Sequence, residues 1–344
     1  MTWPPLLLGD RSPSLRLLVL RELLGREEDD PEVLELREIQ GEDPLVTSLI
    51  DLQSPDGSWG STGLPATLSL GTIQSTSQAL MRLGYLGLGP DHPAVRAGTE
   101  YLFSVQLDDG SWPLPRGVDG LDEAEGYSMM PLQTAIPLKA IASCGHATDP
   151  RSERAYRWLG EQRLDDGAWP TGVASGNYGY VAGYRRLPHS RWGCRSNTTG
   201  ALSCLAYHPE RRGGEEARRA LDLILGRETK ERQALGYEVA RLLGAERARG
   251  FLTYYARFDV AQILDLCWRV VASTDDPRVA DFVGFVVESQ GGYGLWEYQP
   301  SPQASRWVTF DLLRSLSRLD DSAEWVSTEP RTPFQPYPRR RRRF

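Results

Sequence analysis

Apolar residues recur at helical spacing through most of the chain, in runs separated by short polar or Gly/Pro-rich segments. The first run opens at Ser12-Pro13 and carries its apolar face to Leu24, so a helix is predicted there. Similar faces predict helices over Pro44–Leu52, Thr72–Leu86, Ala94–Val105, Pro131–Ser143, Arg154–Gln162, Asn197–Tyr207, Glu215–Arg227, Phe258–Val271, Pro277–Glu288 and Ser305–Leu319. Glu27 to Pro31 reads as a solvated linker and N-cap. A Gly/Tyr-rich stretch from Pro170 to Gly193 breaks the pattern, and a loop of that length suits a binding loop or lid. The charged stretch from Glu228 to Arg249 reads as a corner that has lost its regular features.

One phrase punctuates these runs four times. It stands as Gln53-Ser-Pro-Asp-Gly57-Ser-Trp59, Gln106-Leu-Asp-Asp-Gly110-Ser-Trp112, Gln162-Arg-Leu-Asp-Asp-Gly167-Ala-Trp169 and, more loosely, Gln290-Gly-Gly-Tyr-Gly294-Leu-Trp296. Asp-Gly supplies a positive-φ turn, Trp is large enough to cover a helix-to-helix corner, and the Gln amide suits the indole face and backbone at its helix end. Trp59, Trp112 and Trp169 are spaced by 53 and 57 residues, and the 127 to Trp296 fits two periods with one degenerate corner between. Such a period means stacked helix pairs, because one pair alone cannot bury its apolar face. Six inner helices, with a similar number outside, are expected to close one ring over residues 1–327. Residues 328–344, ending in Arg339 to Arg343, are expected to be a disordered Pro/Arg-rich tail.

Composition changes this picture little. With 40% apolar and 25% charged residues and no run near the length of a membrane span, the chain reads as globular and cytoplasmic. A net charge of −7 argues against nucleic acid. Four scattered cysteines with no CxxC pair read as reduced thiols. Lys139 and Lys230 are the only lysines, a bias attributed to codon usage.

The four corners resemble the Gln-Trp repeats of squalene–hopene and oxidosqualene cyclases and the related repeats of protein prenyltransferase β subunits. More narrowly, the chain resembles single-domain bacterial proteins built of these repeats. The resemblance implies an all-α fold, an α6/α6 toroid, with substrate entering where the inner helices begin. It does not carry over a chemistry. The proton-donating Asp-x-Asp-Asp-Thr-Ala signature is nearest to Ala256-Arg-Phe-Asp259-Val-Ala, which keeps only the last Asp. Ser273-Thr-Asp275-Asp276 follows an inner helix, and Cys194 lacks the Asp two residues earlier that a prenyltransferase zinc site needs.

The candidate site residues lie at the expected inner-helix starts. Asp259, with Tyr255, is the candidate acid or base, the alternative being an N-cap paired with Arg257. Trp192, Trp307, Tyr127, Phe258 and Tyr254 are candidate walls that stack on a polyisoprene or steady a cation, or else core filler. Arg257, Arg195, Arg306 and Arg191 suit a diphosphate held on the positive ends of six helices, and Gln74 marks the polar start of another inner helix. Met129 and Met130 read as packing. Cys194 and His189 with Asp259 make a weak metal set, so no cofactor is called for, with magnesium and zinc left open. The expected function is a terpenoid-cyclase or prenyltransferase-like enzyme acting on an isoprenoid or other apolar molecule in the ring. The alternative is a non-catalytic toroid that binds a lipid or a protein. The Arg-rich tail adds a possible peripheral membrane contact.

Overall fold

The computed structural model describes residues 3–60, 64, 71–113, 130–171, 173–174, 177–178, 185–226, 233–247, 255 and 257–319. Tyr127, Met129, Tyr254 and the tail after Ser327 lie outside the described residues, as does much of the Gly/Tyr stretch. Of that stretch, Val173–Ala174 pairs antiparallel with Asn177–Tyr178.

Six helices form the inner wall: α2 (Pro13–Leu18) with its π-helical continuation Val19–Leu23, α5 (Thr72–Tyr85), α7 (Pro131–Ile141), α9 (Arg195–Tyr207), α12 (Val260–Arg269) and α14 (Ser305–Arg318). They touch in ring order, α5 on α7, α7 on α9, α9 on α12, α12 on α14, and α14 on the wide turn after α2. Leu18 lies beside Gly87, just past α5, which closes the circle. Outside stand α3 (Pro31–Gln40) on α2, α6 (Pro93–Ser104) on α5, α8 (Pro150–Glu161) on α7, α10 (Glu215–Leu225) on α9 and α13 (Pro277–Glu288) on α12. Helix α1 (Trp3–Leu8) leans on α2 and α14, and α4 (Pro44–Ile50) on α5. The apolar core fills the space between the two layers.

The corners explain why the ring holds. Each Trp is fully buried and donates its indole N–H to a carbonyl ten residues earlier: Trp59 to Leu49, Trp112 to Leu102 and Trp169 to Leu159 at 2.7 Å, Trp296 to Val286 at 2.8 Å. Its backbone N–H goes to one threonine hydroxyl on the next inner helix, Thr76, Thr134, Thr198 or Thr309, at 3.0 to 3.3 Å. Gln53 and Gln106 do not finish their own helix as expected. Their amides donate to Gly57 and Gly110 and also to Ala94 and Arg151, in the first turn of the next outer helix. One corner thus fastens three helices. Gly57 and Gly110 have φ of 87° and 94°, and a Cβ would fall 2.3 and 2.6 Å from the oxygens of Ala97 and Arg154. Side chains are therefore barred twice, by conformation and by contact.

In the third corner the Gln position belongs to Arg163, not Gln162. Arg163 donates to the Gly167 carbonyl at 3.4 Å, and its distance of six residues from Trp169 is that of Gln53 from Trp59.

Candidate functional site

The corner threonines set the angular register of each inner helix. Thr76, Thr134, Thr198 and Thr309 face outward to their Trp, so residues two before or two after, about 200° away, face the lumen. Those after are Gln78, Ile136, Gly200 and Asp311, and those before are Gln74, Leu132, Ser196 and Trp307. A further turn down, five after, stand Met81, Lys139, Ser203 and Arg314. At these positions the lumen face is consequently mixed, with Trp307 beside charged, polar and aliphatic side chains.

Part of the lumen, as far as the described residues show it, is occupied. Part of the charged stretch after α10 enters the ring as the short helix α11 (Tyr237–Leu242), which touches α5, α12 and α14. Without a Trp to hold this connection to the wall, α10 is tied to α13 instead by Arg278, which donates to the Asp222 carboxylate at 2.7 Å. Inside, Lys139 on α7 donates to Glu238 at 3.3 Å and to the Tyr255 hydroxyl at 3.2 Å. Arg241 donates to Glu238 at 2.8 Å and to Gln78 on α5 at 2.7 Å. Burial pushes the Glu238 pKa up, but Arg241 and Lys139 overcome it and hold the carboxyl at about 2. Burial likewise opposes the Lys139 charge, and Tyr255 and Glu238 more than offset it, so its pKa is raised. Beneath α11, Arg314 is paired with Asp311 and Asp265, and Asp265 also accepts from Arg269 at 2.8 Å. The cavity bounded by Tyr85, Lys139, Glu238, Gln262, Asp311 and Arg314 among others has a volume of about 30 Å³, room for a water molecule and not for a terpenoid.

Asp259 is 1% exposed and forms the N-cap of α12. Its Oδ1 accepts from the backbone N–H of Gly236 at 2.8 Å and of Ala261 at 3.3 Å, and its Oδ2 from that of Glu238 at 2.6 Å. The same carboxyl therefore caps α12 and the start of α11. Burial pushes it up to about 7 against these donors, with the Glu238 charge adding to the rise. The anticipated partner Arg257 turns elsewhere, its guanidinium 4.1 Å from the Tyr237 ring centre. Tyr255 is buried, its hydroxyl beside Lys139 and its pKa raised by burial.

The other described candidates stand on several elements. Phe258 stacks on Phe282 of α13 at 5.7 Å, which places it in the core between layers, away from the lumen. Trp307 is buried with Tyr85 at 5.7 Å. Trp192 is half-buried under Arg191. Arg306 pairs with Asp10 at 2.9 Å, and Arg195 is buried at the first turn of α9. Arg257 and Arg306 thus each meet a different partner, Tyr237 and Asp10. Gln74 is 6% exposed on the lumen side, and its amide makes no hydrogen bond among the described residues. Met130 is buried, as expected of packing. Cys194 is buried while His189 is exposed, and no group of three metal-ligating side chains occurs among the described residues. All four cysteines are buried free thiols. Asp276 caps the outer helix α13.

Sequence reasoning missed Lys139, Glu238, Arg241, Asp265 and Arg314. A signal existed for the first, since Lys139 interrupts an apolar run in a chain with a single other lysine.

No family model matches the chain. It is 29% identical over 142 residues to the squalene–hopene cyclase of Zymomonas mobilis, covering 39% of this chain and 20% of that one. Against the squalene–hopene cyclase of Bradyrhizobium diazoefficiens it is 29% identical over 131 residues, 36% of this chain and 18% of that one. The matched stretches thus span about a fifth of these relatives. The type II terpene cyclase MstE from Scytonema aligns over 79% of this chain and 94% of its own at 13% identity and a TM-score of 0.31, too loose a likeness to bear on the site. Corners of regular spacing and the stretch shared with squalene–hopene cyclases are the features in which this chain is similar to the terpenoid cyclases.

Proposed function

We propose that the protein is terpenoid-cyclase-like and takes an isoprenoid or similarly apolar molecule into its ring at the end where the inner helices begin. The sequence shared with squalene–hopene cyclases carries this reading. Asp259 supports it as a buried carboxyl at that end whose pKa is pushed up to about 7, so both protonation states are available near neutrality. In a cyclisation of this type the acid gives its proton to an alkene carbon, and the resulting cation later loses a proton, so none is consumed. Both Asp259 oxygens accept N–H bonds while α11 is seated, so the acid role requires those bonds to open.

A second reading, a toroid that binds without converting, is favoured by the charged side chains that line the described part of the lumen. Mass spectrometry of lipids extracted from the purified protein, followed by incubation with squalene and with geranylgeraniol, decides between them. A co-purified isoprenoid and a cyclised product support the enzyme; recovery of the isoprenoid unchanged supports the binder. Neither binding nor turnover of any isoprenoid overturns both.

A further inference from the structure

We infer that α11 is a built-in plug whose withdrawal opens the lumen and frees the Asp259 carboxyl in one movement. The inference rests on the lumen being the ligand chamber of the preceding reading. Four features support it. A helix of six residues has too few internal hydrogen bonds to persist without its surroundings. Its N-cap Gly236 provides no side chain, so its first turn is capped from outside by Asp259. Its hydrogen bonds to α7 and α5 run through charged side chains, Glu238 to Lys139 and Arg241 to Gln78, beside the apolar packing of Val239 and Ala240 in the core. Finally, the connection that carries it has no Trp corner, so α11 can leave without breaking one of the locks that bind outer helices to inner ones. Release of α11 uncouples Glu238 and Arg241 from α7 and α5 together, and leaves the Asp259 oxygens facing the space vacated.

Hydrogen exchange on the full chain tests this. The reporters are the amide of Glu238, bonded to Asp259, and those of Ala240, Leu243 and Ala245, bonded within the α11 segment. They are expected to exchange at least about 100-fold faster than the interior amides of α7 and α9, at a rate insensitive to low urea, as for local opening. Saturating geranylgeraniol is expected to speed these reporters further, because it competes for the lumen. Gly236→Ala should do the same without ligand, since a Cβ would lie 2.5 Å from a Val308 methyl at a φ of 88°. Reporters that exchange only with α7 and α9, in wild type and variant alike, overturn the plug. Binding of geranylgeraniol that leaves or slows their exchange overturns it too. Absence of geranylgeraniol binding instead tells against the isoprenoid reading, with the urea dependence and Gly236→Ala still deciding the plug.

Discussion

Asp259 shows how a single carboxyl can look catalytic in sequence and structural in place. It spends Oδ1 on Gly236 and Ala261 and Oδ2 on Glu238, so Asp259→Asn is not the neutral probe that a simple cap would allow: its amide NH₂ must face one of these N–H groups. The pH dependence is nonetheless diagnostic. The folded pKa is about 7 and the unfolded one is near the ordinary 3.8, so between these values the folded state binds more protons and stability falls as pH rises. Urea midpoints from pH 4.5 to 7.5 should show wild type losing ground steadily relative to Asp259→Asn. A constant difference between the two would mean that the carboxyl is ordinary. Glu238 has the opposite sign: held at about 2, it contributes stability above its unfolded pKa that is lost as pH falls toward 2.

At the scale of elements, the corner is the unit that holds outer to inner helices. Burying an indole of about 200 Å² at about 25 cal/mol/Å² stabilises by at most about 5 kcal/mol, and its two N–H groups are both satisfied. Trp112→Ala is expected to cost about 3–5 kcal/mol in urea unfolding. Thr134→Val, which leaves the buried Trp112 backbone N–H without its acceptor, should cost about 1–3 kcal/mol. Arg163→Gln restores the bonding pattern of the first two corners and should leave the urea midpoint unchanged or raise it. These corners were legible because Asp-Gly-x-Trp is local chemistry. Their threonine partners were not, because the loops from Trp to Thr differ in length, 17 residues from Trp59 to Thr76 but 29 from Trp169 to Thr198.

At the scale of the whole molecule, the ring encloses charge. Glu238→Gln leaves Lys139 and Arg241 buried without their anion and is expected to cost about 3–5 kcal/mol, read from the thermal midpoint and urea titration. Among the described residues no helix is long and apolar enough to cross a membrane. The Arg339 to Arg343 tail remains a candidate for peripheral contact, about 1 kcal/mol per Arg near an anionic surface. Pelleting with phosphatidylserine vesicles at low salt should weaken on removal of the last six residues, and equal pelleting removes the membrane role.

By itself the sequence determined the six inner helices, their starts to within a few residues, the corners between them and the ring they imply. All of these follow from periodicity and turn chemistry, which act over a few residues. It also placed Asp259 at an inner-helix start. Only the tertiary structure decided what faces the lumen, because that depends on the rotation of each helix about its axis, fixed here by a threonine meeting a distant corner. It alone put α11, a part of the charged stretch after α10, inside the ring. A run such as Tyr237-Glu-Val-Ala-Arg-Leu242 reads as a solvated surface until Lys139, Gln78 and Asp259, brought from three other helices, supply the partners that let its charges leave water.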